Sequence, residues 1–312
     1  MTYPNFSSSF RWVALCLVTS WLAACSTPPL LAPVVDEPSA LPTKPPAVVP
    51  VKRLPKIGLA LGGGAARGFA HIGVIQVLEE AGIKPDMVTG TSAGSLVAAL
   101  YASGNNGVQL ERMAESMDES TFADWTIPFF NRGLLRGEAL TRYVQRMVQG
   151  RLIENMILPL GIVATDLNNG QGVLFQRGDT ATAVRASSAV PAVFFPVKIG
   201  GRDFVDGGLV SPVPARFARQ MGAELVIAVD ISSPPEASTP DGTLQILMQT
   251  FTIMSKSINN LELRDAEVVV RPSLNGVGSA DFSARRRSIQ EGRAAMLAQL
   301  PKLKSLIEAG TR

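Results

Sequence analysis

Ser92 lies in Gly90-Thr91-Ser92-Ala93-Gly94, between the apolar run Met87-Val88-Thr89 and the helix-forming run Leu96-Val97-Ala98-Ala99-Leu100. A strand that turns sharply into a helix with a serine at the corner is the geometry of a nucleophile elbow. Glycines two residues to either side leave room for the tight turn and for substrate, and the helix N-terminus sets positive dipole where negative charge would develop. The chemistry this points to is acyl transfer through serine. An ordinary Gly/Ser loop can carry the same five letters, so the rest of the chain must decide.

A second glycine cluster, Gly62-Gly63-Gly64-Ala65-Ala66-Arg67-Gly68, follows the apolar stretch Ile57-Gly58-Leu59-Ala60-Leu61. It fits neither nucleotide motif. A dinucleotide fingerprint begun at Gly62 meets Arg67 where its last glycine belongs, one begun at Gly63 meets Ala65, and the Gly-Lys-Ser/Thr of a P-loop is missing. A run of backbone N–H groups at a helix start can instead hold the oxyanion of a tetrahedral intermediate, for which the amides of Gly63 and Gly64 are the candidates.

A serine nucleophile needs a base. The chain has one histidine, His71. It precedes Ser92, whereas the α/β-hydrolase order is Ser, Asp or Glu, then His. At helical spacing His71 shares a face with Val74, Ile75 and Leu78, which favours a core position over a catalytic one. The better candidate is Asp206 in Phe204-Val205-Asp206-Gly207-Gly208, where an apolar stretch ends in a carboxylate and two glycines let the backbone come close. An aqueous aspartate, with a pKa of about 3.9, is a weak base for a hydroxyl, so burial or direct contact with Ser92 is required. The alternative is an Asp-Gly turn held by its own side chain.

Taken together, these residues resemble the bacterial patatin-like phospholipases, lipid acyl hydrolases that use a Ser-Asp dyad. Gly62 to Gly68 resembles the family's oxyanion loop, Gly90 to Gly94 its nucleophile motif and Asp206-Gly207-Gly208 its aspartate motif. Ala65 departs from the pattern, standing where the family often has glycine. Arg185-Ala186-Ser187-Ser188-Ala189-Val190-Pro191 and Phe195-Pro196-Val197 resemble the segment before the aspartate, so the likeness runs from about Ile57 to Ile231. The resemblance implies a three-layer α/β fold, with a mixed, mostly parallel sheet covered by helices. It also implies Ser92 as nucleophile, Asp206 as base, and no cofactor or metal. Arg67 matches a basic residue of the family's loop and would position that loop or bind acidic substrate; a solvated arginine at a helix start is the plainer alternative. With one histidine, and cysteines only at Cys16 and Cys25, the chain offers no zinc set, and no acidic cluster has calcium-loop spacing.

The elements that must position these groups can be read from periodicity. Strands are expected at 56–61, 87–90, 161–165, 224–230 and 267–271, with a hairpin around Asn169-Gly170. Helices are expected at 66–81, 93–102, 110–117, 136–149, 214–221, 244–263 and 288–306. This alternation gives a parallel or mixed sheet covered on both faces. An apolar insertion with Phe122, Trp125, Ile127, Phe129, Phe130, Leu134 and Leu135 forms either a lid over the site or part of the core. Leu244 to Met254 lines the groove, lies on a membrane or packs in the core.

The first 24 residues read as a lipoprotein signal. An apolar segment from Trp12 to Ala24 follows Arg11 and ends in Leu22-Ala23-Ala24-Cys25, which resembles a lipobox with Cys25 as the lipidated residue. Ser26 after it resembles the pattern of lipoproteins sent to the outer membrane. Residues 25–55 then form a tether: nine prolines among the 31 residues Ser26 to Lys56, with no helical or strand period, leave a semi-extended chain. In polyproline form, at about 3.1 Å per residue, it reaches on the order of 90 Å. Residues 56–312 are the expected catalytic domain, a length that suits one large α/β unit.

The net charge of +3 has Arg285-Arg286-Arg287 as its one tight basic run, with no aromatics interleaved, and no nucleic-acid motif accompanies it. The expected activity is hydrolysis of phospholipid or lysophospholipid esters at a membrane reached through lipidated Cys25 in the cell envelope. The alternative is an envelope lipoprotein that binds lipid or a partner without turnover.

Overall fold

The computed structural model describes residues 53–117, 135–232 and 242–311. The signal segment, Cys25, nearly all of the proline-rich stretch and the aromatic insertion from Phe122 to Leu134 lie outside the described residues.

Short apolar runs buried at every position make the middle of the sheet: β1 (Ile57–Leu61), β2 (Met87–Thr91) and β7 (Leu225–Val229). Strands covered on both faces read as continuous apolar runs, as parallel sheets require. Leu59 pairs with Val88 of β2 on one side and with Ile227 of β7 on the other, both in parallel register. β8 (Val268–Val270) extends the sheet beyond β7, and β3 (Leu160–Asp166) lies beyond β2, both parallel.

At β3 the sheet becomes mixed, and this positions the site. The turn at Asn169-Gly170 returns the chain as β4 (Gly172–Phe175), antiparallel to β3. β6 (Arg202–Asp206) also runs antiparallel to β3, paired in turn with β5 (Val197–Ile199). Val163 pairs with Leu174 of β4 and Thr91 of β2, while Ala164 pairs with Val173 of β4 and Asp206 of β6. A residue in a sheet has only two edges, so β6 takes over β2's edge of β3 at the point where β2 stops. Asp206 therefore meets the Ser92 corner end to end.

The two faces of the sheet differ in bulk. Leu59 and Leu61 point into the larger core, with α1 (Ala70–Glu80), α2 (Ala93–Ala102) and α8 (Arg285–Gly310). Ala60 and Ala228 face the other way, against Ala215 and Ala218 of α6 (Ala215–Gln220). Helices on both faces complete the three layers. α3 (Gly107–Glu115), α4 (Glu138–Met147), α5 (Thr180–Ser187) and α7 (Thr243–Glu262) add to them.

Several boundaries shift from the sequence expectation for local reasons. The helix expected over 66–81 begins as a 3-10 turn, Ala65–Phe69, before α1. α3 starts at Gly107 because Asn106 and Gln109 form a reciprocal capping box. α5 has no counterpart among the helices that periodicity predicts. It has two threonines and only small apolar residues, and is set by Asp179, whose carboxylate accepts the Thr182 N–H.

Candidate active site

The residues at the β2–α2 corner form the elbow the spacing predicts. Ser92 has φ 53° and ψ −124°, a conformation that costs a side-chain-bearing residue on the order of 1–3 kcal/mol and persists only where the surroundings impose it. They do so at three points. The Ser92 N–H donates to Ser187 Oγ at 2.9 Å, and Ser187 Oγ donates to the Val163 carbonyl at 2.6 Å. The Ser92 carbonyl accepts from both the N–H and the hydroxyl of Ser95, at 2.8 and 2.6 Å. Gly90 and Gly94 let the backbones close up: a Cβ on Gly90 would stand 2.4 Å from the Gly94 carbonyl oxygen, and one on Gly94 would stand 2.1 Å from that of Leu61.

Asp206 ends β6, only 2% exposed, and its carboxylate makes two contacts. Oδ1 accepts the Gly208 N–H at 2.7 Å, and the Ser92 hydroxyl lies close enough to the same carboxylate to favour its charged form. The turn-holding and site roles separated in the sequence thus coexist in one side chain. Burial pushes its carboxyl up to about 6, against the opposing pull of the Gly208 N–H and the Ser92 hydroxyl. That supplies what the sequence argument required: a carboxylate basic enough to take a hydroxyl proton, in contact with that hydroxyl. Gly207 fits against Val163, where a Cβ would lie 2.3 Å from the carbonyl oxygen.

The glycine loop corrects one sequence assignment. The Gly63 N–H is not available to an oxyanion, because it already donates to the Pro212 carbonyl at 2.9 Å. Gly62 likewise donates to Val229 at 3.0 Å. Among the described residues the N–H groups of Gly64, Ala65 and Ala93 have no hydrogen-bond partner, so the free amides sit one residue further along the loop and at the start of α2. Ala65 holds φ 51°, the left-handed conformation that suits glycine. Gly63 packs against Ser92, and Gly68 against Ala93. Arg67 positions the loop, with Nε donating to the Gly64 carbonyl at 3.2 Å.

His71 is a core residue, as its helical face implies. Its Nε2 bonds the Gly62 carbonyl at 2.8 Å, Nδ1 has no partner, and burial pushes the ring down to about 4, so it is neutral at ordinary pH. It supports the loop from behind.

An apolar cavity of about 390 Å³ opens beside Ser92. Leu96, Val97 and Leu100 of α2 form one wall, Leu110 and Met117 another, and Met248 and Phe282 close it from the C-terminal third of the chain. A pocket of this size with one polar end suits a ligand that is mostly hydrocarbon. Of the expected lid, only Leu135 lies within the described residues; it bridges to Phe194, whose ring lines the cavity.

Two supports escaped the sequence reading. Ser187 belonged to a segment recognised by resemblance alone; its role depends on the unanticipated α5. Glu262, buried at the end of α7, accepts from Ser211 Oγ at 2.6 Å and pairs with Arg216, while the Ser211 carbonyl accepts from Thr91 Oγ1 at 2.8 Å.

The patatin-like phospholipase family model matches residues 59–219. An uncharacterised NTE family protein of Mycobacterium bovis is 35% identical over 208 residues, which are 66% of this chain and 58% of that protein. Patatin-like phospholipase domain-containing protein 6 of Mus musculus is 37% identical over 188 residues, 58% of this chain and 14% of that protein. The chain therefore spans well under two thirds of these relatives' length. In fold it resembles VipD from Legionella pneumophila, with a TM-score of 0.52 and 14% identity, covering 79% of this chain and 66% of that one. With Ser92, Asp206 and the glycine loop all inside or beside the matched span, the chain belongs to the patatin-like phospholipase family.

Proposed function

We propose that this chain is a serine acyl-ester hydrolase of phospholipids or lysophospholipids. The observation that carries the proposal is the buried Asp206 carboxylate in contact with Ser92 at the mouth of an apolar cavity. Asp206 takes the hydroxyl proton as Ser92 Oγ attacks the ester carbonyl, and the acyl chain lies in the cavity. The free amides of Gly64 and Ala65, with Ala93 at the N-terminus of α2, receive the oxyanion. Collapse of the intermediate expels the alcohol, which takes the proton back from Asp206 and leaves an acyl-Ser92. Water, deprotonated by Asp206, then releases the fatty acid.

The test is a medium-chain p-nitrophenyl ester. We expect a burst of p-nitrophenol, and the Ser92 peptide should gain the mass of one acyl group. Acylation at another residue, or binding without turnover, would reject the reading; the latter would favour a lipid-binding lipoprotein.

The same reading puts the enzyme in the cell envelope, at the outer membrane, anchored through lipidated Cys25 on its proline-rich tether. The support is sequence alone. Cys25→Ser is expected to lose incorporation of labelled palmitate. Retained label would sink the assignment of Cys25.

A further inference from the structure

α7 has two unlike faces. Its inner face is built into the site: Met248 lines the cavity, the Phe251 ring packs on Gly208, and Ser255 Oγ donates to the Gly208 carbonyl at 3.2 Å. Its outer face is apolar and in solvent. Ile246, Leu247, Ile253, Met254 and Leu261 are each about half exposed, from 49% to 61%. At α-helical spacing Leu247, Met254 and Leu261 fall on one line and Ile246 and Ile253 on another about 100° round the helix, with Thr250 and Ser257 between, so they form a broad, mainly apolar stripe. Contiguous apolar surface of this kind marks a contact face.

Three observations choose the occupant. The helix that carries the stripe also walls the acyl cavity, so whatever covers the stripe lies next to the route by which a chain reaches Ser92. From Thr243 to Leu261 there is no acidic residue and one lysine, Lys256, so nothing on the helix repels anionic headgroups. α7 is 20 residues long and carries its exposed apolar residues along one side, the form of an interfacial helix lying in the headgroup region. We propose that the outer face of α7 docks the protein on a phospholipid bilayer and that acyl chains enter the cavity past Met248. This rests on the proposed hydrolase activity and adds the surface through which it meets its substrate.

The test uses the chain from residue 25 onward carrying Cys25→Ser, so that neither the apolar leader nor a lipid anchor contributes, and vesicles of phosphatidylethanolamine and phosphatidylglycerol. Leu247→Glu with Met254→Glu should lower both vesicle flotation and hydrolysis of vesicle phospholipid by about tenfold or more, with hydrolysis of a water-soluble ester kept within about twofold. Leu247→Trp should tighten flotation with hydrolysis of the soluble ester unchanged, a combination that a folding defect does not produce. Undiminished flotation and vesicle hydrolysis in the double glutamate variant would overturn the docking face. So would unchanged flotation together with a change from dimer to monomer, which would assign the stripe to a second copy. If the parent hydrolyses no soluble ester the hydrolase reading fails by itself, and flotation still decides whether α7 docks.

Discussion

Asp206→Asn is expected to lower kcat/KM by about a thousandfold or more and, at pH 7, to make the folded protein more stable. Asparagine keeps the shape and can still accept the Gly208 N–H, but it cannot take the Ser92 proton. Loss of a positioned general base costs on the order of 10²–10⁴ in rate, and loss of a triad aspartate about 3 × 10⁴. The stability gain follows from the raised carboxyl. A carboxyl held at about 6 in the fold and 3.8 when free contributes stability that is full below 3.8 and lost as pH rises through 6. Two units correspond to about 3 kcal/mol, the upper limit of what asparagine recovers at pH 7.

His71 works in the opposite sense. Its neutral ring is favoured in the fold, so stability is full above 6.5 and falls as pH drops toward about 4. In the wild type these two groups offset each other between pH 4 and 6; in Asp206→Asn the His71 loss is uncovered, and acid sensitivity appears there. Wild-type kcat/KM should rise with pH through about 6 and then level off, because Asp206 must be ionised to act. Ser92→Ala should cost about a millionfold, and adding Asp206→Asn to it should change little, since residues acting as a unit are not additive. Urea unfolding at several pH values and ester kinetics on the same preparations check all of this. Near-normal turnover in Asp206→Asn would mean another base serves Ser92.

The parts of this site that depend on short stretches of chain were legible in the sequence. The elbow is five residues long, and its glycines answer to clashes with backbone only a few residues away or on the adjoining strand. Asp206 could be read from an apolar strand ending in Asp-Gly-Gly, although its register on Ala164, which sets it end to end with Ser92, could not. What failed was long-range. The Gly63 amide is engaged by Pro212, about 150 residues further on, and no local pattern reports that carbonyl. Ser187 was hidden for a related reason: α5 is short and threonine-containing, and weak periodicity gives no cause to place the Ser187 hydroxyl, rather than that of buried Thr180, under Ser92. α7 was legible as an apolar helix but not as a two-faced one, because its two apolar stripes merge in the sequence and are told apart only by what packs on them.

Gly94→Ala is expected to yield little or no soluble folded protein, a larger effect on the fold than that of any other substitution argued for this site. The new Cβ would stand 2.1 Å from the Leu61 carbonyl oxygen and 2.7 Å from that of Gly62. Both are backbone atoms, so no side chain can swing aside. Nor can β1 retreat, because it is held between β2 and β7 in the middle of the sheet. Relief requires α2 to move off β1 by about an ångström, which would break the Ser92–Ser187 bond and open the core around Leu61, a combination that belongs with the rare substitutions costing more than about 4–5 kcal/mol. A domain with 5–15 kcal/mol in hand is brought near its unfolding threshold by that loss. Gly82→Ala is the matched control: its φ of +70° makes alanine strained, but nothing lies within 4 Å, so the cost is only the left-handed penalty of about 1–2 kcal/mol. Soluble yield and urea midpoints of the two variants, purified together, measure the difference. If Gly94→Ala folds as well as Gly82→Ala, α2 has freedom to shift on β1, and the conformation of Ser92 is imposed by its hydrogen bonds rather than by the close packing of Gly94.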